Sequence, residues 1–177
     1  MKKALVIVDM QNDFITGSLA NKDAERIVNK IVHKINNFDG RIIVTLDTHQ
    51  NKKYLSTQEG KRLPIKHCIQ GTKGHNLAQP IQDALDEKQG IYYIEKSTFG
   101  TTIYANLISD YNDVEFCGTC TDICVVSNAI ILKSLCPEIH ISVNATLCAG
   151  TTKENHTAAL QVMRCCQIDV VEEKTDD

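Results

Sequence analysis

The chain has 177 residues, with 19 basic and 22 acidic side chains and a formal net charge of −3. That length fills one hydrophobic core, and no Pro/Gly/Ser-rich stretch or charge block divides it, so residues 1–177 read as a single domain. Nearly balanced charge without a basic cluster argues against nucleic acid or an anionic membrane as partner and favours a small neutral substrate.

The first apolar run, residues 4–8, is too short for a signal peptide, and no run is long enough to span a membrane, so a cytoplasmic protein is expected. Eight cysteines in a chain of this size with ordinary patterning need no disulfide framework, and free thiols are expected. Asp9 ends the first run. A helical pattern over 24–38 follows, with Ile27, Ile31 and Ile35 on one face. A second strand-like run, 41–46, leads into Asp47 and His49. From Thr48 to about Ile81 regular patterning lapses, and the long loop carries Thr57-Gln-Glu-Gly and the pair His67-Cys68; such loops tend to be functional.

A third run, 90–94, precedes Lys96, and a helical pattern over 102–109 leads to a fourth run at 114–117. Residues 118–121 read as a tight turn and 122–135 as a helix with Val125, Ala129 and Leu132 on one face. Runs at 139–143 and 168–171 flank a last helix at 153–165. Six strands alternating with helices predict a three-layer α/β fold, Rossmann-like, whose parallel sheet is covered on both faces through right-handed crossovers.

In such sheets ligands bind outside the carboxyl ends of the strands. Asp9, Asp47, His49, Lys96 and the segment from Cys120 to Cys124 all stand there. Cys124 falls in the first turn of the predicted helix, where unpaired N–H groups and the helix dipole favour thiolate over thiol and could cradle an oxyanion. Taken alone, Cys124 is equally well explained as a small buried apolar residue and Asp9 as a turn former, and Lys96 is better explained as a solvated lysine. Asp47 and His49 are two apart, so in extended backbone they face the same side and can share one ion.

Five segments carry a resemblance: Ile7-Val-Asp-Met-Gln-Asn-Asp-Phe14, Asp47-Thr-His49, His67-Cys-Ile-Gln-Gly-Thr72, Glu95-Lys-Ser-Thr-Phe-Gly100 and Gly118-Thr-Cys-Thr-Asp-Ile-Cys-Val125. In this order the chain resembles the isochorismatase-like cysteine hydrolases, nicotinamidases most of all. The resemblance implies a catalytic triad of Asp9, Lys96 and Cys124, a cis peptide bond between Thr119 and Cys120, and an oxyanion hole from the N–H groups of Cys120 and Cys124. It also implies one divalent ion, zinc first and manganese or iron next, held by Asp47, His49, Glu59 and His67, with Gln58 competing for the place of Glu59. Phe14, Leu19 and Phe99 are implied as pocket walls, a small amide as substrate, a homo-oligomer as the assembly, and pyridine nucleotide biosynthesis, through NAD salvage, as the setting. The chain departs in having Thr-Cys where a small aliphatic pair is commoner, Lys66 where a proline often precedes the histidine, and no tryptophan.

Two relatives within the superfamily compete: an amidase for a carbamoyl or ureido compound, and isochorismatase itself, whose members lack the nucleophilic cysteine. From a different class comes a thiol-disulfide oxidoreductase using Cys117 and Cys120, a C-x-x-C without the cis-proline its active site needs. A zinc or iron–sulfur site on Cys117, Cys120 and Cys124 lacks a fourth ligand.

Overall fold

In the computed structural model, which describes residues 2–172, six strands make one parallel sheet: β1 (Lys3–Val8), β2 (Arg41–Asp47), β3 (Tyr92–Lys96), β4 (Asp113–Thr119), β5 (His140–Ala149) and β6 (Asp169–Val171). Their order is β3-β2-β1-β4-β5-β6. Residue 1 and residues 173–177 of the expected single domain lie outside the described residues. β1 reads as an unbroken apolar run because it is buried on both faces, as the centre of a parallel sheet must be. It pairs with β2 on one side and β4 on the other. The strand order therefore reverses beside β1, and a crevice opens at the carboxyl ends of β1 and β4.

Helix α1 (Asn12–Ile15) is a single turn after β1; α2 (Lys22–Asn37) buries Ile27, Ile31 and Ile35 as its spacing requires. The Asn21 side chain caps α2 by accepting from the N–H groups of Asp23 and Ala24. α2 packs on α4 (Gln79–Asp86) and across β4 and β5, whereas α6 (Val126–Leu135) packs on α5 (Tyr104–Ile108) and α7 (Lys153–Cys165). Among the described residues no helix is long and apolar enough to cross a membrane.

Three expectations are corrected. Residues 118–121 are not a tight turn: β4 continues to Thr119, and Gly118 sits at φ +119° where a Cβ would lie 2.1 Å from the Val8 carbonyl oxygen. Only glycine allows the two strands to approach so closely there. The segment beyond is a single π turn, Thr121–Val125, with the Val125 N–H donating to the Cys120 carbonyl at 3.0 Å. The expected loop from 48 to 81 contains a 3₁₀ turn (Tyr54–Ser56), the short helix α3 (Gln58–Arg62) and the start of α4. Thr57 is the reason for α3, since its hydroxyl accepts from the Gly60 N–H at 2.9 Å. β5 runs to Ala149 and not Val143, because a bulge held by the Asn144 carboxamide separates Val143, opposite Phe116, from Cys148, opposite Gly118.

On the sheet's far end His140 bridges two carboxylates, Asp113 through Nδ1 at 2.9 Å and Asp169 through Nε2 at 2.8 Å. The hydrogen bond to Asp169, then that to Asp113, raises its pKa above the usual value. A raised pKa adds stability that is complete below the unfolded value near 6.5 and is lost as pH rises through the folded one. Because the side chain is 56% exposed, solvent screens the effect. Melting temperature should fall by about one or two degrees above pH 6.5 relative to a His140→Gln protein, whose melting profile lacks this component. Parallel profiles for the two proteins would refute the assignment.

Candidate active site and metal centre

Asp9 ends β1 in the left-handed region, φ +50°, a conformation that a short polar side chain tolerates better than most. The turn sends its carboxylate into the crevice. Oδ1 accepts from the Thr45 hydroxyl at 2.6 Å, and Oδ2 lies 2.6 Å from Lys96 Nζ. Lys96 comes from the carboxyl end of β3 and is buried along its length; its ammonium also stands 3.7 Å from Cys124 Sγ and 3.8 Å from Asp47 Oδ1. One cation therefore touches the thiol, the buried carboxylate and the neighbouring acidic cluster.

The protonation pattern differs from the one expected at a helix terminus. Burial, then the charge of Asp9, holds the Cys124 thiol well above its ordinary pKa, with Lys96 opposing. The thiol is the resting form. Burial also raises Asp9 above its ordinary pKa, against the pull of Lys96. Burial alone would lower Lys96, but Asp9, Cys124 and Asp47 keep it above its usual value, so it stays an ammonium. The peptide bond between Thr119 and Cys120 is cis.

Beside this cluster, Asp47, His49, Glu59 and His67 each turn one ligand atom inward, all within 4.8 Å of one another. The two imidazoles meet edge to face at 4.9 Å and share the Asp47 and Glu59 carboxylates. Burial pulls His67 down, yet the hydrogen bonds to Asp47 and Glu59 hold it up at about 10. Burial would raise Asp47, but His49, His67 and Lys96 keep it well below the carboxylate range. Two carboxylates and two imidazoles converging on one point suit a divalent transition metal, and the donor set fits zinc, manganese or iron. Of Gln58 and Glu59, it is Glu59 whose side chain reaches the group of converging ligand atoms.

A 640 Å³ cavity joins the two clusters. Asp47, Glu59, His67, Cys120 and Cys124 line it together with Phe14, Leu19 and Phe99, so all three expected wall residues are present. Phe99 is 48% exposed, which places it at the mouth and excludes it from the core.

Sequence reasoning missed the residues that hold these groups. Gln11 is buried; its carboxamide accepts from the Asp47 N–H and donates to the Asp47 and His75 carbonyls, each at 2.8 Å. The Asp13 carboxylate accepts from the Cys68 N–H at 2.7 Å and seats the histidine loop. The Tyr54 ring backs both imidazoles, and Asn128 ties the Cys124 carbonyl to the Phe99 loop. Asn128 carried a visible signal, a polar side chain four residues after Cys124 on a buried helix face.

The isochorismatase domain family matches residues 3–174. An uncharacterised isochorismatase family protein of Bacillus subtilis, PncA, is 29% identical over 175 residues, covering 90% of this chain and 93% of that one. The crystal structure of a nicotinamidase/pyrazinamidase PncA from Bacillus subtilis superposes with a TM-score of 0.85 at 26% identity, covering 97% of this chain and 100% of the other. A pyrazinamidase of Pyrococcus horikoshii in complex with zinc shares the fold, with TM-score 0.82, 23% identity and coverage of 97% and 99%. The nicotinamidase of Saccharomyces cerevisiae is 32% identical over 115 residues, 49% of this chain and 53% of that one.

Proposed function

The chain belongs to the isochorismatase domain family, and on that premise we propose that it hydrolyses nicotinamide to nicotinate and ammonia. The observation that carries this reading is one cavity lined both by Cys124, with Lys96 and Asp9 buried behind it, and by Asp47, Glu59 and His67 of the four metal-type ligands. A nucleophile alone would fit any small amide. A nucleophile beside an ion site fits an amide whose ring carries a donor nitrogen.

In the proposed mechanism Asp9 takes the Cys124 proton, and the thiolate attacks the amide carbon. The N–H groups of Cys120 and Cys124 hold the oxyanion. Protonated Asp9 gives its proton to the leaving ammonia, and a thioester remains. Asp9 then deprotonates a water that opens the thioester, releasing nicotinate and restoring the thiol. Lys96 keeps its proton throughout and balances whichever of Asp9 or Cys124 is anionic. Asp47, His49, Glu59 and His67 would hold the ion, zinc in our reading, which when bound supplies a Lewis acid for the ring nitrogen.

The same reading carries a one-domain protein acting in the cytoplasm as a homo-oligomer, its product entering pyridine nucleotide salvage. All eight cysteines are free thiols, which accords with a reducing compartment.

Ammonia release from nicotinamide by metal-loaded protein tests the reading. Chelation should raise KM by about tenfold or more, with activity restored by zinc, because an ion held by Asp47, His49, Glu59 and His67 would orient the ring while Cys124 supplies the nucleophile. No release from loaded protein would move the search to other small amides. Unchanged kinetics after chelation would remove the ion from the reaction.

A further inference from the structure

The substrate cavity carries two cations that nicotinamide does not use. Lys22 and Arg62 line it, and among the described residues neither has a hydrogen-bond or ion-pair partner. The two carboxylates on the same wall, Asp47 and Glu59, are turned to His49 and His67. Lys22 is not placed for the good of its own helix. It is the first residue of α2, where the helix dipole disfavours positive charge, and the acidic neighbour Asp23 is taken by Arg26. Leu19, Leu63 and Phe99 add apolar surface to the same lining, beside the polar Asn21 and Thr151. Unpaired cations beside apolar surface strengthen the field felt by an anion in the cavity.

Volume points the same way. At 640 Å³ the cavity lies in the range of drug-sized ligands, well beyond one pyridine ring with a carboxamide. With the carboxamide at Cys124 and the ring against Phe14, the lining left over includes Lys22 of α2 and Arg62 of α3. We propose that Lys22 and Arg62 form an anion subsite at the mouth, so that the site takes ring amides bearing a negatively charged substituent on the side away from the carboxamide. The inference rests on the nicotinamidase reading only for where the carboxamide lies.

The test is calorimetric and independent of turnover. Metal-loaded Cys124→Ala protein is titrated with nicotinamide, 5-methylnicotinamide and 5-carbamoylpyridine-3-carboxylate, and the titrations are repeated after adding Lys22→Ala and Arg62→Ala. The affinity ratio of the anionic to the methyl ligand should fall about tenfold in the variant, as expected for losing two partly exposed ion pairs. In the parent the ratio should also shrink at high salt. A ratio that is the same in both proteins, or an anionic ligand that fails to bind where the methyl ligand does, overturns the subsite. Binding of the anionic ligand alone, lost in the variant, would uphold the subsite and count against nicotinamide as substrate. Absence of binding by all three would overturn both.

Discussion

Cys124→Ala should lower ammonia release by about four orders of magnitude or more while leaving ligand binding in place. No other thiol can substitute for it. Cys117 and Cys148 are buried in the sheet, and Cys68 sits under the histidine loop, where burial and then Asp47 push its thiol far up. Cys120 does line the cavity, but burial, joined by the charges of Asp122, Asp9 and Asp47 and opposed by the Thr119 hydrogen bond, pushes its thiol up to about 11. Among the described residues no cation like Lys96 contacts its sulfur, which accepts from the Thr119 hydroxyl. The truncation removes one buried sulfur and no cap or ion pair, so stability should change by about 1 kcal/mol. Nicotinamide binding by calorimetry should survive, because Phe14, Leu19 and the four ligand residues remain. Residual turnover near the parent's rate would refute covalent catalysis at this residue.

How far the sequence announced this site depends on which forces act at each residue. Strand ends were legible because β1, β2 and β4 are short apolar runs that stop at a polar residue, and the crevice rule then placed Asp9, Asp47 and Cys124 together. The thiol's protonation state was not. A helix N-terminus argues for thiolate, but burial and a carboxylate delivered from β1, more than a hundred residues earlier, outweigh it. Only the folded chain reveals which effect is larger. The loop before β3 was misread for a related reason: Thr57 and Gly60 look like turn residues, and in fact one caps a helix and the other passes close under Tyr54. Gln11 and Asp13 lay inside a recognised motif with no role assigned, since their partners, Asp47 and Cys68, come from distant segments.

The ion pair at the bottom of the crevice sets the second large effect. Lys96→Met should destabilise the metal-free protein by about 3–5 kcal/mol, the cost of leaving a buried carboxylate without its counter-charge. The side chain of Asp9 is fully buried and that of Lys96 is 2% exposed, so water cannot replace the lost ammonium. Asp47 loses the same cation at 3.8 Å. For a chain of this size the melting temperature should drop by about 10 °C. Asp9 would answer by holding a proton, which also removes the base that activates Cys124, so turnover should vanish together with stability. Those two losses separate in the double variant. Asp9→Asn with Lys96→Met removes both charges, retains the Thr45 hydroxyl as a partner for the amide, and should recover much of the melting temperature with none of the activity. A thermodynamic cycle over the two singles and the double then reads the coupling directly. Additive losses would mean that the pair is solvated and that Lys96 acts on Cys124 alone. Strong coupling would place the cost where the geometry does, in a cation kept inside the protein for the charges that gather around it.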